Sequence, residues 1–355
     1  MGEDIYRELQ MFIDKFSMGF PEADSGIDIK ILKKLFSEED AGIFLKLSPM
    51  LEDVDTIAAK VGMSGEETAL KMDEMAARGL VFRLRRNDKS YYSAIPFVHG
   101  LFEFQVNRLD KELADMVGEY MAEKMVVNMQ ENAGGFLRTI PIQEAIDSTL
   151  NVAAFEDVEK ILRSKELIVV TDCICRKRAG VASDSCGKPL EACFMFGSMA
   201  QYYLDYDMGR KVDVDEALKI VRECQAAGLV TQPASSQNPA GMCNCCGDCC
   251  GVLLALRFHP KPAEAVLSNY YAWIEEGDCN GCGECLQRCQ MDALKISDDG
   301  IAKIKLDRCI GCGLCVTTCP NGAISLKAKD DKELKIPAKD SMEQMLNMAK
   351  KRGIL

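Results

Sequence analysis

The sequence predicts an α+β multidomain chain. A helical N-terminal domain closed by a hairpin spans residues 1–98, a central cysteine-rich α/β domain spans 99–265, a small cysteine module spans 266–330, and a tail with one helix spans 331–355. Three observations carry that division. Helical apolar spacing runs through the N-terminal third. Strand-like apolar runs alternate with amphipathic stretches in the middle. Near the C-terminus the pattern C-x-x-C-x-x-C-x-x-x-C occurs twice, at a constant offset of 30 residues. With 355 residues, 48% of them apolar, the chain is long enough for two or three packed domains.

Residues 27–36 and 38–47 have helical spacing, and Pro49 ends the second stretch. A short helix is expected over 53–61, stopped by Gly62. Ser64 then reads as an N-cap, and Glu67 completes a capping box for a helix over 65–78 that Gly79 closes. Residues 80–84 and 91–95 alternate around Arg85-Arg86-Asn87-Asp88-Lys89-Ser90, the pattern of a hairpin. Helices, a turn, a helix and a basic-tipped hairpin in this order resemble a winged helix. That resemblance implies either DNA binding, with helix 65–78 in the major groove and Arg83, Arg85, Arg86 and Lys89 on phosphate, or protein docking. Glu66, Glu67, Asp73 and Glu74 lie along the helix that would meet the DNA and would repel its backbone, so docking is the preferred reading and no nucleic-acid partner is expected.

Residues 100–129 are expected to form a long amphipathic helix with Leu109, Leu113, Met116, Tyr120 and Met125 on one face, broken by Gly134-Gly135. Strands are expected at 136–142 and 167–171, flanking a helix at 155–164. A further helix at 214–227 ends at Gly228, residues 233–241 read as a loop, and 341–352 as a C-terminal docking helix.

The repeated motif supplies Cys279, Cys282, Cys285 and Cys289 in one half, and Cys309, Cys312, Cys315 and Cys319 in the other. Thiolates at this spacing suit a cubane iron–sulfur cluster, three from one loop and the fourth from the opposite half. One cluster is assigned to Cys279, Cys282, Cys285 and Cys319, and the other to Cys309, Cys312, Cys315 and Cys289. The intervening Gly281, Gly283, Gly311 and Gly313 suit a loop that wraps its cluster closely. The aligned halves CNGCGECLQRCQMDAL and CIGCGLCVTTCPNGAI resemble the bacterial-type ferredoxin module with two [4Fe–4S] clusters, over residues 270–329. One departure is Gln290, where the second half has Pro320. Zinc knuckles also use C-x-x-C pairs, but zinc has no use for four cysteines per half in tandem.

The other ten of the 18 cysteines are also grouped. Cys173 and Cys175 follow the strand at 167–171 and, as i and i+2, would share one face of an extended chain. Cys186 and Cys193 come next, followed by Cys243, Cys245, Cys246, Cys249 and Cys250. The neighbours Cys245 and Cys246 point apart and are not expected to share a centre. An extended run would pair Cys243 with Cys245, and a helical one would pair Cys249 with Cys245 or Cys246. These nine thiols are enough for one further iron–sulfur cluster with spares, or for two; zinc ligation or a redox dithiol is the alternative. Cys224, in step with Leu218 and Val221, reads as a core residue. Arg176, Lys177 and Arg178 read either as cations that balance an anionic cluster or as a solvated face or partner site. The whole arrangement is similar to ferredoxin-fused, cysteine-rich iron–sulfur proteins of anaerobic bacteria and archaea.

Only two histidines are present, His99 and His259, and no dinucleotide or P-loop glycine pattern occurs, so neither a histidine hydrolase nor a nucleotide enzyme is expected. The opening Met1-Gly2-Glu3-Asp4 has no signal-peptide character, and no apolar stretch has membrane-spanning length. A net charge of −12 disfavours general nucleic-acid binding. Clustered thiols with metal-ligand spacing belong in a reducing cytoplasm, in an anaerobic setting. The expected function is electron transport: single electrons relayed through the two ferredoxin clusters and a further central cluster, between redox partner proteins. The alternatives are a reductase with a catalytic central cluster, and a redox-sensing regulator.

Overall fold

The computed structural model describes residues 4–146 and 152–355. Its N-terminal part opens with a helix that the sequence reading did not anticipate, Ile5–Asp14, capped by the Asp4 side chain. It packs with helices Ile27–Leu35 and Glu38–Phe44, and Phe12, Phe36 and Phe44 meet edge to face at their junction. Strand β1 (Glu52–Asp53), helices Val54–Val61 and Gly65–Ala77, and strands β2 (Phe82–Arg86) and β3 (Lys89–Ser93) follow. The three strands form an antiparallel sheet ordered β1-β3-β2. The Ser64–Glu67 capping box forms, and Gly62 takes the left-handed conformation that ends the helix before it.

The long helix differs from expectation at both ends. It begins at Lys111, where Asp110 accepts a hydrogen bond from Leu113 N (2.8 Å), then runs through a wider turn at Met121–Met125 and on to Phe136. The Gly134-Gly135 pair does not break it. A Cβ on Gly134 would lie 2.2 Å from the Ala265 carbonyl oxygen, so this glycine is there to admit a neighbouring backbone. The strand expected at 136–142 does not form; Leu137 and Arg138 make single bridges to Ala234 and Leu267. The segment is buried; its Arg138 and Ile140 amides bond to the Pro233 and Thr231 carbonyls of one neighbouring strand, while the Thr139 amide between them bonds to the Leu267 carbonyl.

The central domain is built on an antiparallel five-stranded sheet, ordered β6-β4-β5-β8-β7, from β4 (Ile168–Asp172), β5 (Glu191–Phe196), β6 (Arg210–Val212), β7 (Val230–Pro233) and β8 (Gly241–Cys245). Helix Val214–Ala226 packs against this sheet. Beyond it, β9 (Tyr270–Ile274) pairs with β12 (Ile324–Ala328), and β10 (Leu294–Ile296) with β11 (Ala302–Ile304). The last helix, Ser341–Lys351, lies on helix Val126–Phe136, and Gln344 Nε2 donates to the Gly135 and Phe136 carbonyls at 3.0 and 2.8 Å. No described helix is long and apolar enough to cross a membrane.

Asp40 ties the N-terminal helices together. Its side chain is fully buried and bridges Lys71 (2.9 Å) and Arg78 (2.8 Å) while closing the capping box with Ser37. Burial alone would raise its pKa, but bonds from Lys71 and Ser37 outweigh that and hold it at about 2. A depressed carboxylate stabilises the fold above its unfolded-state pKa and loses that contribution as pH falls through the folded one. Asp40→Asn is therefore expected to cost about 2 kcal/mol at pH 7 in denaturant unfolding. The gap between variant and parent should close as the pH is lowered from the ordinary carboxylate value near 3.8 toward about 2.

Candidate metal centres

The C-terminal module folds its two motifs around two small cavities of about 20 Å³ each. One is lined by Cys279, Cys282, Cys285 and Cys319, the other by Cys289, Cys309, Cys312 and Cys315. Each cavity thus takes three thiols from one motif and one from the other. Backbone amides point at three of the sulfurs: Ala302 N at Cys279 Sγ (3.4 Å), Ala272 N at Cys309 Sγ (3.3 Å) and Ala293 N at Cys289 Sγ (3.3 Å). Such bonds favour thiolate and raise the potential of a cluster held by it. Gly281 and Gly311 have φ of 71° and 66°, and a Cβ would lie 2.0 Å from the Gly300 oxygen and 2.2 Å from the Tyr270 oxygen, so the loops close only with glycine there. The first cavity reaches the surface at Cys282, the one exposed cysteine among the described residues. The second faces the central domain: the Ile142 amide donates to the Cys312 carbonyl at 3.1 Å.

The central sheet gathers six thiols. Alternation along β8 sets Cys243 and Cys245 on one face, and antiparallel pairing puts Cys193 of β5 opposite Cys243. Cys173 and Cys175 are not on an extended chain as expected. Cys173 is the N-cap of helix Ile174–Val181 and Cys175 sits in its first turn, yet the two side chains still meet. Cys250 is the N-cap of helix Gly251–Phe258. The six side chains neighbour one another in series, Cys175–Cys173–Cys193–Cys243–Cys245–Cys250, around a cavity of about 50 Å³. Two helix N-termini start at this cavity, where their partial positive charge favours an anion such as a thiolate-bound cluster. Contacts from Cys175 and Cys193 lower the Cys173 pKa, and contacts from Cys193, Cys245 and His99 lower that of Cys243.

Three further thiols, Cys186, Cys246 and Cys249, form a separate group whose sulfurs all lie within 4.8 Å of one another. Cys186 Sγ is 4.0 Å from Cys246 Sγ. Cys245 and Cys246 thus belong to different groups, because the chain leaves the sheet between them. Arg176 is buried between the groups, with both terminal nitrogens 3.1 Å from the Asn244 carbonyl and one 3.9 Å from Cys246 Sγ. The Cys249 contact and Arg176 bring the Cys246 thiol down to about 5. Cys224 lies in neither group; burial raises it to about 12.

The sequence reading set His99 aside, yet it stands beside Cys243 and Glu103 at the edge of the six-thiol cavity. Burial alone would lower its pKa, but the neighbouring Cys243 thiol and the charge of Glu103 carry it up to about 9. No local signal marks it, since its thiol neighbours are far along the chain. Asn244 was also missed, although its place inside Cys-Asn-Cys was a visible cue.

Gln290, the departure from proline in the repeat, joins the module to the central domain. Its Oε1 accepts from Gly247 N at 2.7 Å, within the Cys246–Cys249 turn, and its Nε2 donates to the Gly228 carbonyl at 3.0 Å. Arg288 donates to the Ala226 and Gln225 carbonyls beside it (3.0 and 2.9 Å).

The two crossed-motif cavities define the C-terminal region as an iron–sulfur module of the dicluster ferredoxin class. Residues 272–326 match the family described as a 4Fe-4S dicluster domain. No curated protein and no solved structure matches the chain.

Gln290→Ala removes the acceptor of the Gly247 amide while leaving every cysteine in place. Losing one such bond, about 1.4 kcal/mol, should speed amide exchange at Gly247 about tenfold. Iron per chain should stay unchanged. Unaltered exchange at Gly247 would remove the bridge.

Proposed function

We propose that this chain is an electron-transfer protein in which single electrons enter at the exposed Cys282 side, cross the two ferredoxin clusters, and reach metal held by the central thiols. The observation that carries this reading is the Gln290 bridge. It sets the loop of Cys289 against the turn of Cys246 and Cys249, so the inner ferredoxin cavity adjoins the central thiols through bonded atoms. In this reading Cys279, Cys282, Cys285 and Cys319 hold the outer cluster, and Cys289, Cys309, Cys312 and Cys315 the inner one. Cys173, Cys175, Cys193, Cys243, Cys245 and Cys250 supply one central centre, and Cys186, Cys246 and Cys249 a second. Bound there, iron–sulfur clusters would supply one-electron storage. The chain itself supplies the anionic ligands, the cations Arg176 and Lys188, and the burial that sets potential.

The N-terminal order of helix, strand, two helices and a hairpin supports a winged-helix reading with a docking role. Arg83, counted on the basic wing, is buried between Asp73 and Asp205 (both 3.0 Å), and Tyr202 of the central domain bonds to the Ala76 and Val81 carbonyls. These contacts use that surface within the chain, which argues against DNA. Redox partner proteins would dock at the Cys282 face. A cytoplasmic, anaerobic setting fits eighteen unpaired cysteines. A reductase is the second reading, favoured by a cavity that opens beside Cys243.

Iron and labile sulfide per chain on anaerobically purified protein test this. About 12 to 16 iron atoms are expected, against about 8 if only the ferredoxin clusters are present. About 8 iron, with zinc or free thiols in the central domain, would overturn the central relay. Two single variants separate the centres: Cys246→Ser should remove one EPR species of the reduced protein and Cys243→Ser another, with the coupled ferredoxin signal intact in both.

A further inference from the structure

The six-thiol cavity shares a wall with a much larger one. His99, Met195 and Cys243 line both. The second cavity has a volume of about 240 Å³, against about 50 Å³ for the thiol cavity and about 20 Å³ for each ferredoxin one. Close-packed interiors leave few voids of this size. An apolar cavity of about 150 Å³ admits benzene, and ordinary ligand pockets begin near 300 Å³, so this one is sized for one or two fused rings.

Three parts of the chain build it. The N-terminal domain contributes Phe82 and Ile95, the central domain Met195 and Met199, and the last helix Met345 and Met348. Flexible thioether walls adapt to the shape of a guest, and Met345 is 41% exposed, placing the mouth at the last helix. Among the described residues no Asp, Glu, Lys or Arg lines the cavity, and the charge on His99 is already balanced by Cys243 and Glu103, so a charged group on a guest would lose its hydration without a partner of its own. Its polar side chains are few, and one of them, the His99 imidazole, stands at the inner end beside Cys243. The volume also excludes a peptide segment, whose backbone polar groups would find no partners on these walls.

We propose that this cavity binds a neutral, mainly apolar small molecule of one or two fused rings, seated with a carbonyl or hydroxyl group against His99 and its ring edge beside Cys243. The guest's place at the inner end of the electron route rests on the relay reading above. Its binding does not, because the walls that hold it are apolar side chains. Ala234 and Ala240 line the cavity and are remote in chemistry from the thiols, so a ring introduced at either fills it without removing a ligand.

The test is anaerobic calorimetric titration of the full chain with 1-naphthol, beside Ala234→Phe and Ala240→Phe. One saturable site is expected in the parent, weakened at least tenfold in both variants. Far-UV circular dichroism and the visible absorbance of the ferredoxin clusters should stay unchanged. Met345→Ala, which widens the mouth, should bind within about threefold of the parent while exchanging guest faster. Absence of saturable binding in the parent, or equal binding in both filled variants, would overturn the proposal. Iron counts on the same samples separate it from the relay. Binding with about 8 iron per chain keeps the cavity and removes the central metal, whereas about 12 to 16 iron without binding does the reverse.

Discussion

The central domain depends on one buried asparagine. Asn244 is fully enclosed, and three of its polar atoms bind across elements: its Nδ2 donates to the Ala192 carbonyl (3.1 Å), its Oδ1 accepts from Thr231 Oγ1 (3.0 Å), and its carbonyl accepts from both terminal nitrogens of Arg176. These bonds pin β8 between β5 and β7 in one register. A slip of one residue would turn Cys243 and Cys245 to the wrong face. They also hold a guanidinium between two groups of thiols. Without that cation, nine neighbouring sulfurs would resist becoming thiolates together, because like charges in a buried site raise one another's pKa. Asn244 therefore sets both the geometry of the sulfurs and the electrostatics around them.

The C-terminal module solves a different problem. Its two halves share a fold, but they face different neighbours. The second motif ends at the surface, where Pro320 itself is exposed. The half ending in Gln290 abuts the central domain, and the side chain there reaches two backbone groups that a proline ring could not satisfy. Arg288 adds bonds to the carbonyls at the end of helix Val214–Ala226, where the helix has partial negative charge. The broken symmetry of the repeat is thus an interface, and it points the inner cavity toward Cys246 and Cys249.

Much of this was legible in the residues. Capping boxes, glycine stops and alternation are local signals, and they placed the Gly65–Ala77 helix, the β2–β3 hairpin, β4 and the last helix within a few residues. The long helix was misplaced because Asp110 competes as a cap with Gly100 as a start, and because a glycine pair marks close backbone approach as readily as a helix end. The strand expected at 136–142 has the right composition, but its amides divide between β7 and Leu267. Periodicity cannot distinguish those outcomes, since the partners lie about a hundred residues away.

Sequence by itself determined the chemistry of the C-terminal module, eight thiols in a tandem spacing that only crossed four-iron ligation uses fully, and it marked nine more as grouped. It also separated Cys224, whose helical phase places it in the core, and predicted that Cys245 and Cys246 part company. Tertiary structure decided how the nine divide. Six converge because β5 and β8 pair antiparallel and two helices begin at the same edge; three others meet where the chain leaves the sheet. It also decided that His99 faces Cys243, that Arg176 stands between the groups, and that a mainly apolar cavity opens beside them. Spacing along a chain fixes which neighbours share a face, but the meeting of distant segments follows from how whole elements pack.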